Sequence, residues 1–310
     1  MTQKTIEKAV SCSGIGLHSG KKVAMTFLPA SVGSGVIFAV KSGSGRRLIQ
    51  ATPDKVHETR LATGILDQDC SVGTIEHVMA ALRGLGIDNI QIELDGCEVP
   101  IMDGSASPFT YLLQQAGIVE QHVAKRVYML RKPLRFSQDG KWIKARPSNG
   151  LQVRFTIDYE HPLLGEQERS FSLEPTLFAE QISKARTFAF LSDVEQMRGT
   201  GLALGGSLDN ALVLDEAHVL NQDGMRYPDE PVRHKILDFI GDIALMPYPL
   251  LGDFEVYCSG HEMNNKFCRF LLEQAEDYLL CCEYPEERKG GFQPLPTGEF
   301  VHASTGVKAD

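Results

Sequence analysis

No run in this 310-residue chain approaches the ~18 consecutive apolar residues that a membrane-spanning helix needs. The opening stretch, "MTQKTIEKAVSCSG", lacks the apolar core of a secretory signal. There is no C-x-x-C. The seven cysteines (Cys12, Cys70, Cys97, Cys258, Cys268, Cys281 and Cys282) are odd in number and scattered. That pattern argues against a disulfide frame or a cysteine zinc site and for reduced thiols in a cytoplasm. Basic excess is also missing. A net charge of −9 excludes a general nucleic-acid binder, which needs a basic footprint. No G-x-x-x-x-G-K-[ST] loop and no G-x-S-x-G elbow occur. "GIGLHSG" (14–20) has Ser19 where a dinucleotide loop needs its third glycine, so it reads as a turn, with His18 in a structural role. "HEMNN" (261–265) has Asn265 where a zincin needs its second histidine.

What is present reads as an ordinary globular chain, 43% hydrophobic and 23% charged, long enough for two domains. Alternation in "KKVAMTFLP" (21–29) and "GVIFAVK" (35–41) predicts antiparallel strands. A helix is expected over 73–84, a strand over 87–96, and a helix over 107–117 capped by Gly117. Beyond residue ~125 the strand pattern restarts, with a hairpin around Asp139-Gly140 and a strand over 151–159. Helices are expected over 229–246, where Pro231 suits the first turn, and over 260–280. Strands followed by helices thus occur twice. The expected fold class is α+β, with similar units over 1–125 and 126–310 and an inserted glycine-rich segment within 188–214.

In "GTIEHVMAALRG" (73–84), Ile75, Val78, Met79 and Leu82 form one buried stripe, and His77 points roughly opposite, beside Ala80 and Ala81. Small residues there let another element approach closely. In the 229–246 helix, His234, Asp238 and Asp242 lie at i, i+4 and i+8, off the apolar stripe, with Lys235 beside them. H-x-x-x-D offers two metal ligands one turn apart, and His77 is the best remaining third. Glu76, turned ~100° from His77, suits a base acting on water better than a fourth ligand. From spacing alone, an ion pair within the helix and a solvated charged face at Lys235 and Asp242 remain open.

The blocks "GIGLHSGKKV", "TIEHVMAALRGLGIDNIQIE", "EVPIMDGSASPF", "ISKARTFAF", "LGGSLDNALV", "VRHKILDFIGD" and "SGHEMNNK" together resemble the UDP-3-O-acyl-N-acetylglucosamine deacetylase family. That family is the zinc amidase of the committed step of lipid A biosynthesis. The resemblance runs from about residue 4 to 280 in order and near-family spacing.

The resemblance implies two α+β sandwich domains packed around an active site. It implies His77, His234 and Asp238 as zinc ligands and Glu76 as the base. It also implies His261 as the group that protonates the leaving amine, Asp242 as its orienting carboxylate, and Thr187 as the hydroxyl supporting the oxyanion. Lys235 and Lys141 match lysines near the nucleotide diphosphate. Zn²⁺ is the expected metal, and Fe²⁺ also suits a His₂Asp site. An acyl passage is expected in the 188–214 segment, with Phe188, Phe190, Val194, Ala203, Ser207 and Asn210 facing substrate. Cys258 departs from the family pattern, where a basic residue is usual. The implied protein is a cytoplasmic monomer acting on an acylated UDP-sugar, with no nucleic-acid partner and no stable membrane insertion. Two other readings are a catalytically silent paralogue that binds such a sugar and a zinc amidohydrolase of another N-acetyl sugar. The acid–base pair argues against the first. The apolar residues Phe188, Phe190, Leu191, Val194, Leu202 and Leu204 argue against the second.

Overall fold

A computed structural model describes residues 1–42, 45–284 and 301–304. Its class is α+β. In the N-terminal half, strands β1 (Val10–Ile15), β2 (Lys22–Pro29), β3 (Val36–Ser42), β4 (Gly45–Gln50) and β5 (Ile90–Leu94) form one sheet in the order β1-β2-β5-β3-β4. All neighbours are antiparallel except β3 and β5. Alternation makes one face apolar: Val23, Met25 and Phe27 of β2 are buried. Helices α1 (Glu76–Leu85) and α2 (Ser107–Gln115) supply apolar cover, with Phe27 and Phe109 in edge contact at 6.4 Å.

The C-terminal half has a larger sheet. Its strands are β6 (Arg126–Leu130), β7 (Leu134–Gln138), β8 (Lys141–Arg146), β9 (Leu151–Tyr159), β10 (Gly165–Ser172), β11 (Leu250–Tyr257), β12 (Leu279–Glu283) and β13 (Val301–Ser304). The main order is β10-β9-β11-β8-β7-β13, with β6 pairing β11 and β12. The β7–β8 hairpin turns at Asp139 and Gly140, both at positive φ (50° and 78°), the twist that a two-residue turn between twisted strands needs. The longer helices of this half are α3 (Leu191–Gly199), α4 (Glu230–Ile243) and α5 (His261–Glu273). Aromatic contacts knit α4 and α5 to the sheet: Phe239 meets Phe155 and Phe254, and Phe267 meets Phe136 and Phe254.

Several boundaries differ from the periodicity reading. The first helix starts at Glu76, because Thr74 sits at φ 57° and Ile75 N–H donates to Thr63 O instead of joining a turn. The expected 260–280 helix breaks at Gln274 and resumes only over Ala275–Tyr278. The 188–214 segment is a small parallel excursion in which Phe188–Phe190 pairs with Leu212–Leu214 and α3 lies between them. No residue of α3 is buried. The excursion leaves the body beside Arg186, whose backbone N and Nε each donate to Glu230 Oε1 at 2.9 Å. Both side chains are almost fully buried, so the guanidinium and carboxylate depend on each other.

One continuous apolar core joins the two halves. Helix α1 packs against α4 at its centre. The crossing is close enough that a Cβ on Gly241 would lie 2.1 Å from Glu76 O, so only glycine allows this backbone contact. Every residue of α1 except Arg83 is buried, including Ala80 and Ala81. Helix α5 reaches across as well: Arg269 donates to Pro53 O and Val56 O, both at 3.0 Å.

Candidate metal centre and catalytic cavity

The α1–α4 crossing brings His77 beside His234 and Asp238. Ligand atoms of these three buried residues lie within 4.8 Å of one another. The imidazoles meet edge to face at 5.0 Å. Asp238 Oδ1 lies 3.2 Å from His234 Nε2 and 3.9 Å from His77 Nε2.

The hydrogen bonds around these atoms fit a metal. His234 Nδ1 is 3.0 Å from Ala185 O and must carry the proton there, which leaves Nε2 bare toward Asp238. Lys235 Nζ donates to Asp238 Oδ2 at 2.6 Å. Asp238 Oδ1 is buried and has no hydrogen-bond partner among the described residues. A buried carboxylate oxygen facing two imidazoles, one fixed as an acceptor, is costly unless a cation sits among them. Burial holds His77 neutral, lowering it to about 3. Burial opposes the charge on Asp238, but His234, Lys235, His261 and His77 offset it and hold the carboxyl far below its usual range. Both are the protonation states a metal ligand needs.

Two further groups face the same hollow, which measures about 230 Å³ and is also lined by Tyr159, Thr187, Phe188, Phe190, Asp193 and Met197. Glu76 opens α1 and is 3% exposed. Burial pushes its carboxyl up to about 7. His261 opens α5, and its Nδ1 lies 2.9 Å from Asp242 Oδ2. Burial works against its charge, but Asp242 overrides this and raises it to about 9. Asp242 also accepts from Asn264 Nδ2 at 2.8 Å and from Thr63 Oγ1 at 2.6 Å. Thr63 N–H in turn donates to Glu76 Oε2 at 2.9 Å.

Thr187 is held by backbone bonds to Gly104 O and from Leu212 N, and its hydroxyl has no partner among the described residues. Lys141 stands apart, on a second hollow of about 250 Å³ shared with Thr59, Leu61, Gln138 and His261. Leu61 and His261 line both hollows. Lys235 faces the first hollow, but its ammonium is bonded to Asp238.

The excursion contributes unevenly. Phe188 and Phe190 line the first hollow, each with its ring 5.7 Å from Tyr159. Val194, Ala203, Ser207 and Asn210 are not among its lining residues; from α3, Asp193 and Met197 are. Ser207 N–H donates to Asn210 Oδ1 and Asn210 Nδ2 to Gly205 O, so this pair shapes its own loop. Ala203 is buried at φ 51°, its N–H 3.4 Å from His18 Nδ1. His18 and Ser19 also donate their backbone N–H groups to the Glu98 carboxylate, at 2.8 and 2.9 Å. The turn at 14–20 is thus pinned by a buried acid.

Sequence reading missed Thr63, Tyr159 and Asn264. Asn264 had a signal, since it lies three residues after His261 on one helix, where both reach the same carboxylate. Thr63 had none, because its partners are separated from it by 13 and 179 positions.

The chain matches the family model described as UDP-3-O-acyl N-acetylglycosamine deacetylase over residues 3–273. It is 50% identical to the UDP-3-O-acyl-N-acetylglucosamine deacetylase of Oleidesulfovibrio alaskensis, across 98% of this chain and 100% of the relative. It is 50% identical to that of Nitratidesulfovibrio vulgaris (95% and 96% covered) and 48% identical to that of Histophilus somni (94% and 96%).

Proposed function

The chain belongs to the UDP-3-O-acyl N-acetylglycosamine deacetylase family, and from that premise we propose how its own residues hydrolyse the 2-acetamido group of an acylated UDP-sugar. The products are acetate and a free amine, the deacetylation step of lipid A biosynthesis. The observation that carries the reading is the bare, buried Asp238 Oδ1 facing two imidazoles, with Glu76 and His261 on the same hollow.

His77, His234 and Asp238 would hold the metal, for which Zn²⁺ is the proposed ion and Fe²⁺ the alternative. Held there, a divalent ion would supply Lewis acidity toward the amide carbonyl and the attacking water. Glu76 accepts a proton from the attacking water as the water oxygen bonds to the carbonyl carbon. The Thr187 hydroxyl donates toward the oxygen that gains charge. His261, kept protonated by Asp242, gives its Nε2 proton to the nitrogen as the C–N bond breaks. Environment sets these roles: burial makes Glu76 a proton acceptor near neutrality, while Asp242 makes His261 a donor.

The hollow at Lys141 suits the nucleotide diphosphate. Phe188, Phe190 and Met197 suit the start of the acyl chain. Lys235 serves mainly by holding Asp238. In this reading an N-terminal unit ending near residue 125 supplies Glu76 and His77, and a second unit supplies the rest. One chain carries the whole reacting set, which supports a monomer, and no helix among the described residues is long and apolar enough to cross a membrane. A cytoplasmic site of action remains part of the proposal. The test is acetate release from UDP-GlcNAc with and without its 3-O-acyl group, before and after chelation. Release that survives complete metal removal, or that ignores the acyl group, overturns it.

A further inference from the structure

Thr63 lies at the joint between the two groups that must act on one amide. It sits just before the short strand Gly64–Asp67, in the N-terminal half, and is 2% exposed. Three of its atoms are committed. Its carbonyl accepts from Ile75 N–H at 3.1 Å, which fixes the start of α1. Its N–H donates to Glu76 Oε2 at 2.9 Å. Its hydroxyl donates to Asp242 Oδ1 at 2.6 Å. A carboxylate only accepts, so the direction of that bond is not in doubt.

Among the described residues Asp242 has no other donor on Oδ1; Asn264 and His261 share Oδ2. Asp242 is 2% exposed, so no bulk water replaces a lost donor. Asp242 and His261 belong to α4 and α5 of the C-terminal half, whereas Thr63 and Glu76 belong to the N-terminal half. The chain Glu76–Thr63–Asp242–His261 is therefore a hydrogen-bonded bridge from the proton acceptor to the proton donor across the junction of the halves. We propose that Thr63 is a positioning residue that sets the spacing of Glu76 and His261, by holding the first through its amide and the second through its hydroxyl on Asp242. This rests on the acid–base roles proposed above.

The test uses Thr63→Val, which keeps the shape and removes the hydroxyl, and Thr63→Ser, which keeps the hydroxyl. A charge-assisted bond in a buried site is worth about one to two orders of magnitude in rate when it acts only on the reacting geometry. T63V should lower kcat about 10–30-fold, with KM within about twofold and metal content unchanged. T63S should return to within about threefold of the parent. In an Asp242→Asn background, T63V should cost less than about twofold more, because its route to His261 is already cut. If T63V fails to fold, Thr63→Ala is read the same way. Unchanged kcat in T63V, a T63S as slow as T63V, or an undiminished T63V effect in the D242N background each overturns the role of Thr63. Unchanged kcat in D242N alone overturns instead the role of Asp242, and Thr63's route with it.

Discussion

The helix crossing and the 188–214 excursion both face the same hollow, yet they are built in opposite ways. At the crossing, α1 and α4 are buried on nearly every face, and the reactive side chains are linked by bonds of 2.6–3.0 Å. In the excursion, α3 buries nothing, and Leu204 and Leu208 are 54% and 46% exposed. The groups proposed to hold an ion and move protons sit in closely packed surroundings. The groups proposed to meet the acyl chain sit on a segment with no buried helix face. The comparison yields four expectations, from the largest effect to the smallest.

Breaking the crossing should abolish the centre. His77→Ala, His234→Ala and Asp238→Ala should each lose bound metal and nearly all activity while the fold persists; elemental analysis and circular dichroism check this. Gly241→Ala should do the same without touching a ligand, because its methyl would press on Glu76 O. It should also destabilise the fold by about 1–3 kcal/mol, the usual cost of overpacking. Full metal occupancy in G241A would show that the crossing can relax.

Removing the proton carriers should leave the metal in place. Glu76→Gln and His261→Ala are expected to retain the ion and lose ~10²–10⁴-fold in kcat. Loss of metal from E76Q would instead make Glu76 a ligand.

A subtler effect concerns pH. The donor must be protonated, so activity falls as pH rises through the His261 value, raised to about 9 by Asp242. Without that carboxylate, burial lowers His261 against only the smaller opposing charges of Asp238 and Glu76. Asp242→Asn should therefore move the basic limb of the pH profile downward, toward the ordinary histidine value of about 6.5. A limb that stays put would separate Asp242 from the acid.

The excursion should tolerate change. Met197→Trp narrows the hollow from a surface helix. It is expected to lower kcat/KM about tenfold more for long acyl chains than for short ones, since each buried CH₂ is worth ~0.8 kcal/mol. Metal content and melting temperature should stay at parental values. Equal loss at every chain length would remove α3 from the acyl site.

The same contrast explains what was readable beforehand. The i, i+4 spacing of His234 and Asp238 and the alanines beside His77 are local features, and helical geometry converts them directly into a shared face. The choice of His77 as third partner rested on small residues permitting approach, and the structure supplies that approach through Gly241 on the opposite helix. Thr63 could not be read, because a threonine between strands has no spacing to its partners. Within 188–214, the aromatic pair was legible by type, and Val194 and Met197 by their shared helical face, but only Met197 lines the hollow; with no fully buried residue on α3, spacing alone does not say which of the two reaches it.

Gly241 carries a consequence beyond packing. Without a side chain on Gly241, main chain rests on main chain at this point, so the separation of the two backbones that carry the lone imidazole and the imidazole–carboxylate pair is set by direct contact. The crossing works as a calliper whose jaws are two helices and whose stop is a missing methyl. Spreading the jaws means lifting one helix off the other, whereas α3 has no buried residue to hold it in place. Under the proposed roles, fit to the organic substrate and fit to the ion are thus assigned to separate parts of the molecule.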